Sequence, residues 1–406
     1  MAKANTPAPH DPFFDLSNDS EWNALIGQQG HEENYVDGYI QAAIELASAV
    51  IEKKMYAERD TLVMPILYNA RHGLELSLKF AISRLNQMGV TNNHPKNHDI
   101  MSHWKLLDAS DLGDEELRQC VEALKPYVTS LSQIDDDGQE LRYSENKDGQ
   151  KSLSDRSLAN IAVIRTSLDD LSKAMSRMKY RIHDLAAERK TGTFTSVCSR
   201  SDLLAIARML PPANDWRKPI FEKAKAKVMS RFALTSNKKF SAAVDHIKGN
   251  RELGVIIGLE KTLLHLSDQN AVFVIEQWSK RHPEHADQDD LGTDFGAERN
   301  WDVMRANGRI AKEVNEAICK TLTPDEIADL DTIFYIGRDR VFCEHYENCL
   351  QSTKKEHHRN GRLAADVNHL MEKTNFLICL AAGIAKLGRP SLSRRLMAIR
   401  PDQART

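Results

Sequence analysis

The sequence predicts an all-α fold, and three observations predict it. Apolar residues recur at three- and four-residue steps through both halves of the chain, which is the period of a helix face. No segment sustains the two-residue alternation of a half-buried strand. Aromatic residues at 6% and only 13 prolines fit helices better than a sandwich or barrel. A length of 406 residues gives room for two or three cores. The 41% hydrophobic and 28% charged fractions are those of a globular chain. The net charge of −3 excludes a global field that would recruit a polyanion, so nucleic-acid binding requires a local basic patch.

Taken in order, residues 1–20 read as a disordered start. The first helix is predicted over Glu33–Lys54, with Tyr35, Tyr39, Ala42, Leu46 and Val50 on one stripe and Lys53-Lys54 suited to the dipole at its end. The second opens near Val63, with Pro65 placed in its first turn, where a missing amide costs nothing. Leu67, Ala70, Leu74, Leu78, Ala81 and Leu85 form its apolar face. On the adjoining face Arg71, Glu75 and Lys79 stand one turn apart, so Glu75 can pair with either cation. A shorter helix opens at His98-Asp99, capped by Asp99 or Asn97, and turns Ile100, Trp104 and Leu107 inward. Another spans Asp111–Ser132, starting near Asp114. A turn-rich segment, 135–150, flanks a short extended piece at Leu141–Tyr143. Leu158 through Leu185 then step by threes and fours as one long helix of about eight turns.

The Gly-, Thr- and Ser-bearing stretch Glu188–Arg200 breaks this pattern. It divides the chain into a first domain at 21–190, a linker at 191–200 and a second helical domain at 201–390, with a basic tail at 391–406. In the second domain helices are predicted over Arg217–Phe232, Glu252–Leu266 and Asn270–Arg281. An acidic loop follows at 282–300, then helices at 301–321, 325–352 and 362–387. Thr323 caps the second of these with Pro324 at its first position, and Gly388 with Pro390 closes the last.

Several chemistries lack their motifs. There is no GxGxxG, no GxxxxGK[ST] and no GxSxG, so nucleotide-cofactor and α/β-hydrolase readings have no support, and no cofactor is expected. Cys343, His345, Cys349, His357 and His358 lack the close cysteine pairs of a structural zinc site, and a continuous helix through them would splay the ligands. No metal is expected. The six cysteines include no CxxC pair, which points to a reducing compartment. The Met1–Asp11 start has no apolar signal core. The longest apolar run, Phe376–Ala385, falls short of the roughly 20 residues that span a bilayer. A cytoplasmic protein without a membrane partner is expected.

Four features in order over about 33–189 carry a family resemblance: LELSLK at Leu74–Lys79, HDI at His98–Ile100, LRY at Leu141–Tyr143, and the long closing helix Ser157–Arg189. With these the first half resembles the HEPN superfamily of helical domains; the second half matches no family known to us. The resemblance implies a helical bundle that usually dimerises, so a homodimer is expected. Many members are metal-independent ribonucleases in toxin–antitoxin, stress or phage-defence systems, and others are inactive binding partners. The family's site is an Arg with a polar neighbour, four to six residues, then a His. Guanidinium can hold the scissile phosphate, and an imidazole near neutral pKa can move the proton of a 2′-hydroxyl.

The closing helix of the first half offers this spacing only at Arg177 and His183, with Met178 in the polar position. Six residues place the two about 120° out of register, and the competing reading is a solvated Arg and a helix-end His. The leading candidates are therefore Arg338, Asp339 and His345 in the second half, where seven residues make two turns on one face of the predicted helix. Their competing reading is a structural ion pair of Arg338 with a nearby carboxylate. Arg362 and His369 repeat the step on a solvated face. The basic cluster Arg217, Lys218, Lys223, Lys225, Lys227 and Arg231 has the electrostatic footprint of a phosphate-backbone contact.

The expectation is thus a HEPN-like stress or phage-defence effector acting on RNA, a metal-independent endoribonuclease toxin. The alternative is a non-catalytic dimerisation, nucleic-acid or partner-binding module, such as an antitoxin, adaptor or sensor, with a protein partner encoded nearby.

Overall fold

The computed structural model describes residues 30–94, 96–145, 151–153, 158–282, 301–361 and 363–399, with short pieces before residue 30. Among the described residues there are 16 α-helices and no strand, and 71% of those residues are helical. The only pairing of extended backbone among them is one isolated bridge, Glu145 with Lys151. None of these helices is long and apolar enough to cross a membrane. The expected disordered start lies mostly outside the described residues, and the predicted acidic loop at 282–300 does so except for His282.

Contacts divide the chain into two compact units, one of Met1–Ser110 with Glu116–Ile182 and one of Asp111–Glu115 with His183–Thr406. The first holds α1 (Glu32–Glu52), α2 (Arg59–Gln87), α3 (Ile100–Asp108), most of α4 (Glu115–Ile134) and most of α5 (Ile161–Arg189). Its core is the three-and-four stripe of α2, where Ile66, Leu74, Leu78, Ile82 and Leu85 are fully buried, with Ile100 and Leu107 of α3 and Leu117, Leu124 and Val128 of α4. Leu168, Leu171, Met175 and Met178 complete it from α5. Pro65 lies inside α2 rather than in its first turn, because the helix begins at Arg59. Leu141–Tyr143 is a turn, not an extended piece, with the amides of Arg142 and Tyr143 both donating to the Gln139 carbonyl.

The second unit contains two apolar clusters. One is built by α6 (Arg200–Met209), α7 (Pro219–Arg231), α8 (Asn237–Gly249) and α9 (Arg251–Ile256). The other is built by α10 (Asp268–Arg281), α11 (Trp301–Thr321), α12 (Pro324–Arg338), α13 (Tyr346–Asn360), α14 (Leu363–Met371), α15 (Phe376–Lys386) and α16 (Pro390–Met397). Thr323 caps α12 through a reciprocal capping box with Glu326.

Several helix boundaries differ from the sequence reading, each for a local reason. The helix expected over Glu252–Leu266 stops at Ile256, because Gly258 turns the backbone to φ +83°. The helix expected over 325–352 is interrupted after Arg338: Arg340 takes φ +54°, and a short 3-10 turn at Cys343–His345 precedes α13. The one expected over 362–387 breaks after Met371, and the Trp278 indole donates to the Lys373 carbonyl left outside both helices, at 3.0 Å. Part of the presumed basic tail is α16, anchored by buried Leu392 and Leu396, so Gly388 ends α15 rather than the last helix. Two helices, α6 and α8, were not foreseen.

Candidate functional site

The polar face of α2 forms the densest buried network in the first unit. Arg71, 1% exposed, sits at its centre. Its Nε donates to the Asp135 carbonyl at 2.7 Å, one terminal nitrogen to Glu75 at 3.1 Å, and the other to the carbonyls of His98 at 2.7 Å and Asp136 at 3.1 Å. One guanidinium thus fixes both the start of α3 and the loop after α4. A buried cation demands such complete satisfaction, because an unpaired one costs several kcal/mol.

The loop is fastened from its own side too. The Asp135 carboxylate accepts the amides of Gly138 at 2.7 Å, Gln139 at 2.8 Å and Leu141 at 3.3 Å. Gly138 has φ +83°, and a Cβ there would lie 3.2 Å from the Arg71 guanidinium. The tight wrap around Arg71 therefore requires glycine.

Glu75, 2% exposed, is the second centre. Its Oε1 accepts the Lys79 ammonium at 2.6 Å and faces His98 Nδ1 at 2.8 Å. Burial alone would raise the Glu75 carboxyl, but the hydrogen bonds from Lys79 and His98 outweigh it and hold the pKa below its ordinary value. The His98 side chain is 66% exposed. A buried carboxylate on Nδ1 selects the tautomer whose Nε2 is free to accept a proton from solvent or substrate. The backbone holds the ring in place as well. Asp99 caps α3 by accepting the Ser102 amide at 3.0 Å, and Asn97 accepts the Asp99 amide at 3.3 Å. Next to this pair, His72 is wedged between Tyr39 (centroids 4.4 Å, edge-on) and Tyr68 (5.8 Å, stacked). Burial lowers the His72 pKa, and likewise that of fully buried His103.

The second unit carries a cleft of about 450 Å³ lined by Asn250, Arg251, Cys343, Glu344 and Tyr346 among others. Arg200, 5% exposed, holds Glu344 at 2.7 Å and Glu252 at 2.6 Å. Burial would lower the guanidinium pKa, but the two carboxylates raise it. Burial beside Glu344 pushes the Cys343 thiol up to about 11, which favours the neutral thiol over the thiolate at neutral pH. Below the cleft, the Tyr346 hydroxyl donates to Asp329, whose other oxygen accepts the amides of His265 and Leu266 at 2.8 Å each. Every group of this network is engaged in holding helices together. Among the described residues no three His, Cys, Asp or Glu side chains converge as a metal-holding group.

The residues favoured from the sequence lie elsewhere. Arg338 ends α12, while His345 closes the 3-10 turn before α13, so the pair does not share a helix face. Arg338 is bound in a two-point ion pair by Asp339, at 2.7 and 3.0 Å, and its Cζ lies 4.2 Å from the Tyr335 ring centroid. The His345 ring faces Phe342 at 6.5 Å. On α5, Arg177 is exposed and pairs with Glu116 at 3.2 Å, His183 is exposed, and Met178 between them is fully buried in the core. Of the basic cluster, Arg217, Lys218, Lys223, Lys227 and Arg231 are exposed and Lys225 is half-buried over the Phe240 ring. Lys223, Lys227 and Arg231, four residues apart, form one exposed ridge of α7. Arg362 lies outside the described residues.

The Glu75–His98 pair was missed because its members are 23 residues apart. The available signal was the turn-spaced Arg71, Glu75 and Lys79 on a helix whose other face is core. Compared with family models, curated proteins and solved structures, the chain matches none of them.

Proposed function

We propose that this protein is an RNA-directed effector of the HEPN-like kind, an endoribonuclease whose proton-transfer group is His98 held by Glu75. One observation carries the reading: an exposed imidazole fixed at 2.8 Å by a buried carboxylate that also holds an ammonium at 2.6 Å. Two of the four stretches behind the family resemblance, at Leu74–Lys79 and His98–Ile100, meet at Arg71, and Leu141 of a third is tied to it through Asp135, which accepts the Leu141 amide. That convergence supports the resemblance.

In the proposed reaction Nε2 of His98 takes the proton of a 2′-hydroxyl as the 2′-oxygen bonds to phosphorus. The bond from phosphorus to the 5′-oxygen breaks, the 5′-oxygen takes a proton from water, and the hydroxide left behind takes back the proton held by His98. Products are a 2′,3′-cyclic phosphate and a 5′-hydroxyl. Glu75 stabilises the imidazolium as it forms, and Lys79 supplies positive charge close to the reacting phosphate. The second unit's ridge on α7 is by itself suited to a sequence-independent contact with a phosphate backbone, one that falls as salt rises.

The test is incubation of the purified protein with RNA, with and without chelator, and identification of the product ends. Cleavage to cyclic phosphate and 5′-hydroxyl ends at equal rates in both conditions is the expected result. No cleavage, or 3′-hydroxyl and 5′-phosphate ends, contradicts the proposal.

A further inference from the structure

The loop that Arg71 pins carries two further side chains, Arg142 and Tyr143, toward Tyr68, one turn before Arg71 on α2. Arg142 reaches Gln139 at 3.5 Å and the Tyr143 hydroxyl at 3.4 Å, its Cζ stands 5.1 Å from the Tyr143 ring centroid, and Tyr68 beside it raises the guanidinium pKa. The Tyr143 ring is 54% exposed. Tyr68 and Glu75 are seven residues apart on α2, two turns and about 10 Å along nearly the same line. The ring therefore lies within reach of the nucleotides beside a phosphate at His98.

A single exposed aromatic is ordinary on a protein surface. This one differs in being fixed on both sides. The loop beneath it is tied by Arg71 and Asp135, and the Arg142 guanidinium, which also reaches Gln139, stands over the ring. Little freedom is left to lose when a flat ligand covers the open face. Base–aromatic stacking is tolerant of sequence, but a purine offers the larger π-face, and the backing cation adds to the attraction.

We infer that Tyr143, backed by Arg142 and Tyr68, is a base-stacking subsite for a nucleotide flanking the scissile bond, and that it favours a purine there. The inference rests on the ribonuclease reading above.

The experiment measures binding of the full chain to short 2′-O-methyl oligoadenylate and oligouridylate, which lack the attacking hydroxyl and so persist. Wild type is expected to hold the adenylate roughly 2- to 5-fold more tightly, the modest preference that unequal stacking strength gives. Tyr143→Leu should erase most of that preference and Tyr143→Trp should keep it. Equal binding of the two oligomers, or a preference unchanged in Tyr143→Leu, overturns the subsite and leaves the ribonuclease reading standing. Failure of the wild type to bind either oligomer overturns both.

Discussion

His98 Nδ1 lies 2.8 Å from Glu75 Oε1, joining a mostly exposed imidazole to a carboxylate that is 2% exposed. Glu75 lies on α2 and His98 in the segment just before α3, and Arg71 holds both in place, one through its carboxylate and the other through its backbone carbonyl. The pair thus joins the packing of the first unit to its proposed chemistry, and a change at either residue has consequences for both.

Glu75→Gln keeps an oxygen that can accept from Nδ1 but removes the charge that stabilises the imidazolium. RNA cleavage is expected to fall roughly 10²-fold or more, with helical circular dichroism retained at neutral pH. Because the folded-state pKa of Glu75 lies below its ordinary 4.5, its stabilising contribution is present above that value and lost as pH falls through the folded pKa. Acid unfolding curves should therefore differ in shape between wild type and Glu75→Gln below about pH 4.5, and superimposable curves would refute the coupling.

Gly138→Ala puts a side chain on a residue at φ +83°, with its Cβ 3.2 Å from the Arg71 guanidinium. The left-handed backbone alone costs about 1–2 kcal/mol. Thermal unfolding of the first unit should come roughly 2–6 °C earlier, and cleavage should weaken as the loop loosens around Arg71. An unchanged midpoint would show that the wrap is not needed.

Much of this first unit was legible in the sequence. The stripe of α2 and the adjoining Arg71, Glu75 and Lys79 follow from helical spacing, and Asp99 takes the capping place its residue type suits. Partner choice was not legible, since Glu75 satisfies Arg71, Lys79 and His98 together and the last comes from the segment before α3, 23 residues away. In the second unit, continuous three-and-four stepping ran across two real breaks. A left-handed Arg340 and a carbonyl taken by a distant Trp278 leave no periodic signature. The Arg338–His345 candidate rested on that continuity, so its same-face geometry went with it.

Gly337 of α12 and Gly383 of α15 meet where the two helix backbones cross; a Cβ on Gly337 would fall on the Cys379 carbonyl oxygen, and one on Gly383 on the Ile333 carbonyl oxygen. Backbone cannot yield as a flexible side chain would, so overpacking here should cost at least about 3 kcal/mol. Gly383→Ala is expected to lower the melting temperature by roughly 10 °C or to abolish soluble expression. A variant that melts with wild type would contradict the close crossing.

His357 of α13 holds Asp331 of α12 at 3.0 Å and stands 4.0 Å from Asp366 of α14. The hydrogen bond to Asp331 raises its pKa above the ordinary 6.5, against the lowering effect of burial. A raised folded-state value gives stability that is full below about pH 6.5 and lost as pH rises through the folded pKa. His357→Gln should remove this pH dependence, read as denaturant midpoints in a pH series. A wild-type midpoint that stays level from pH 6 to pH 9, or falls equally in the variant, would disprove it.

The most direct measurement is the single-turnover RNA cleavage rate of His98→Gln beside that of an Arg338→Ala/His345→Ala double variant. The account predicts a loss of about 10²- to 10⁴-fold in the first, the usual contribution of a positioned general base, and near wild-type cleavage in the second. Full activity in His98→Gln, with loss in the double variant, would contradict it and return the chemistry to the second unit.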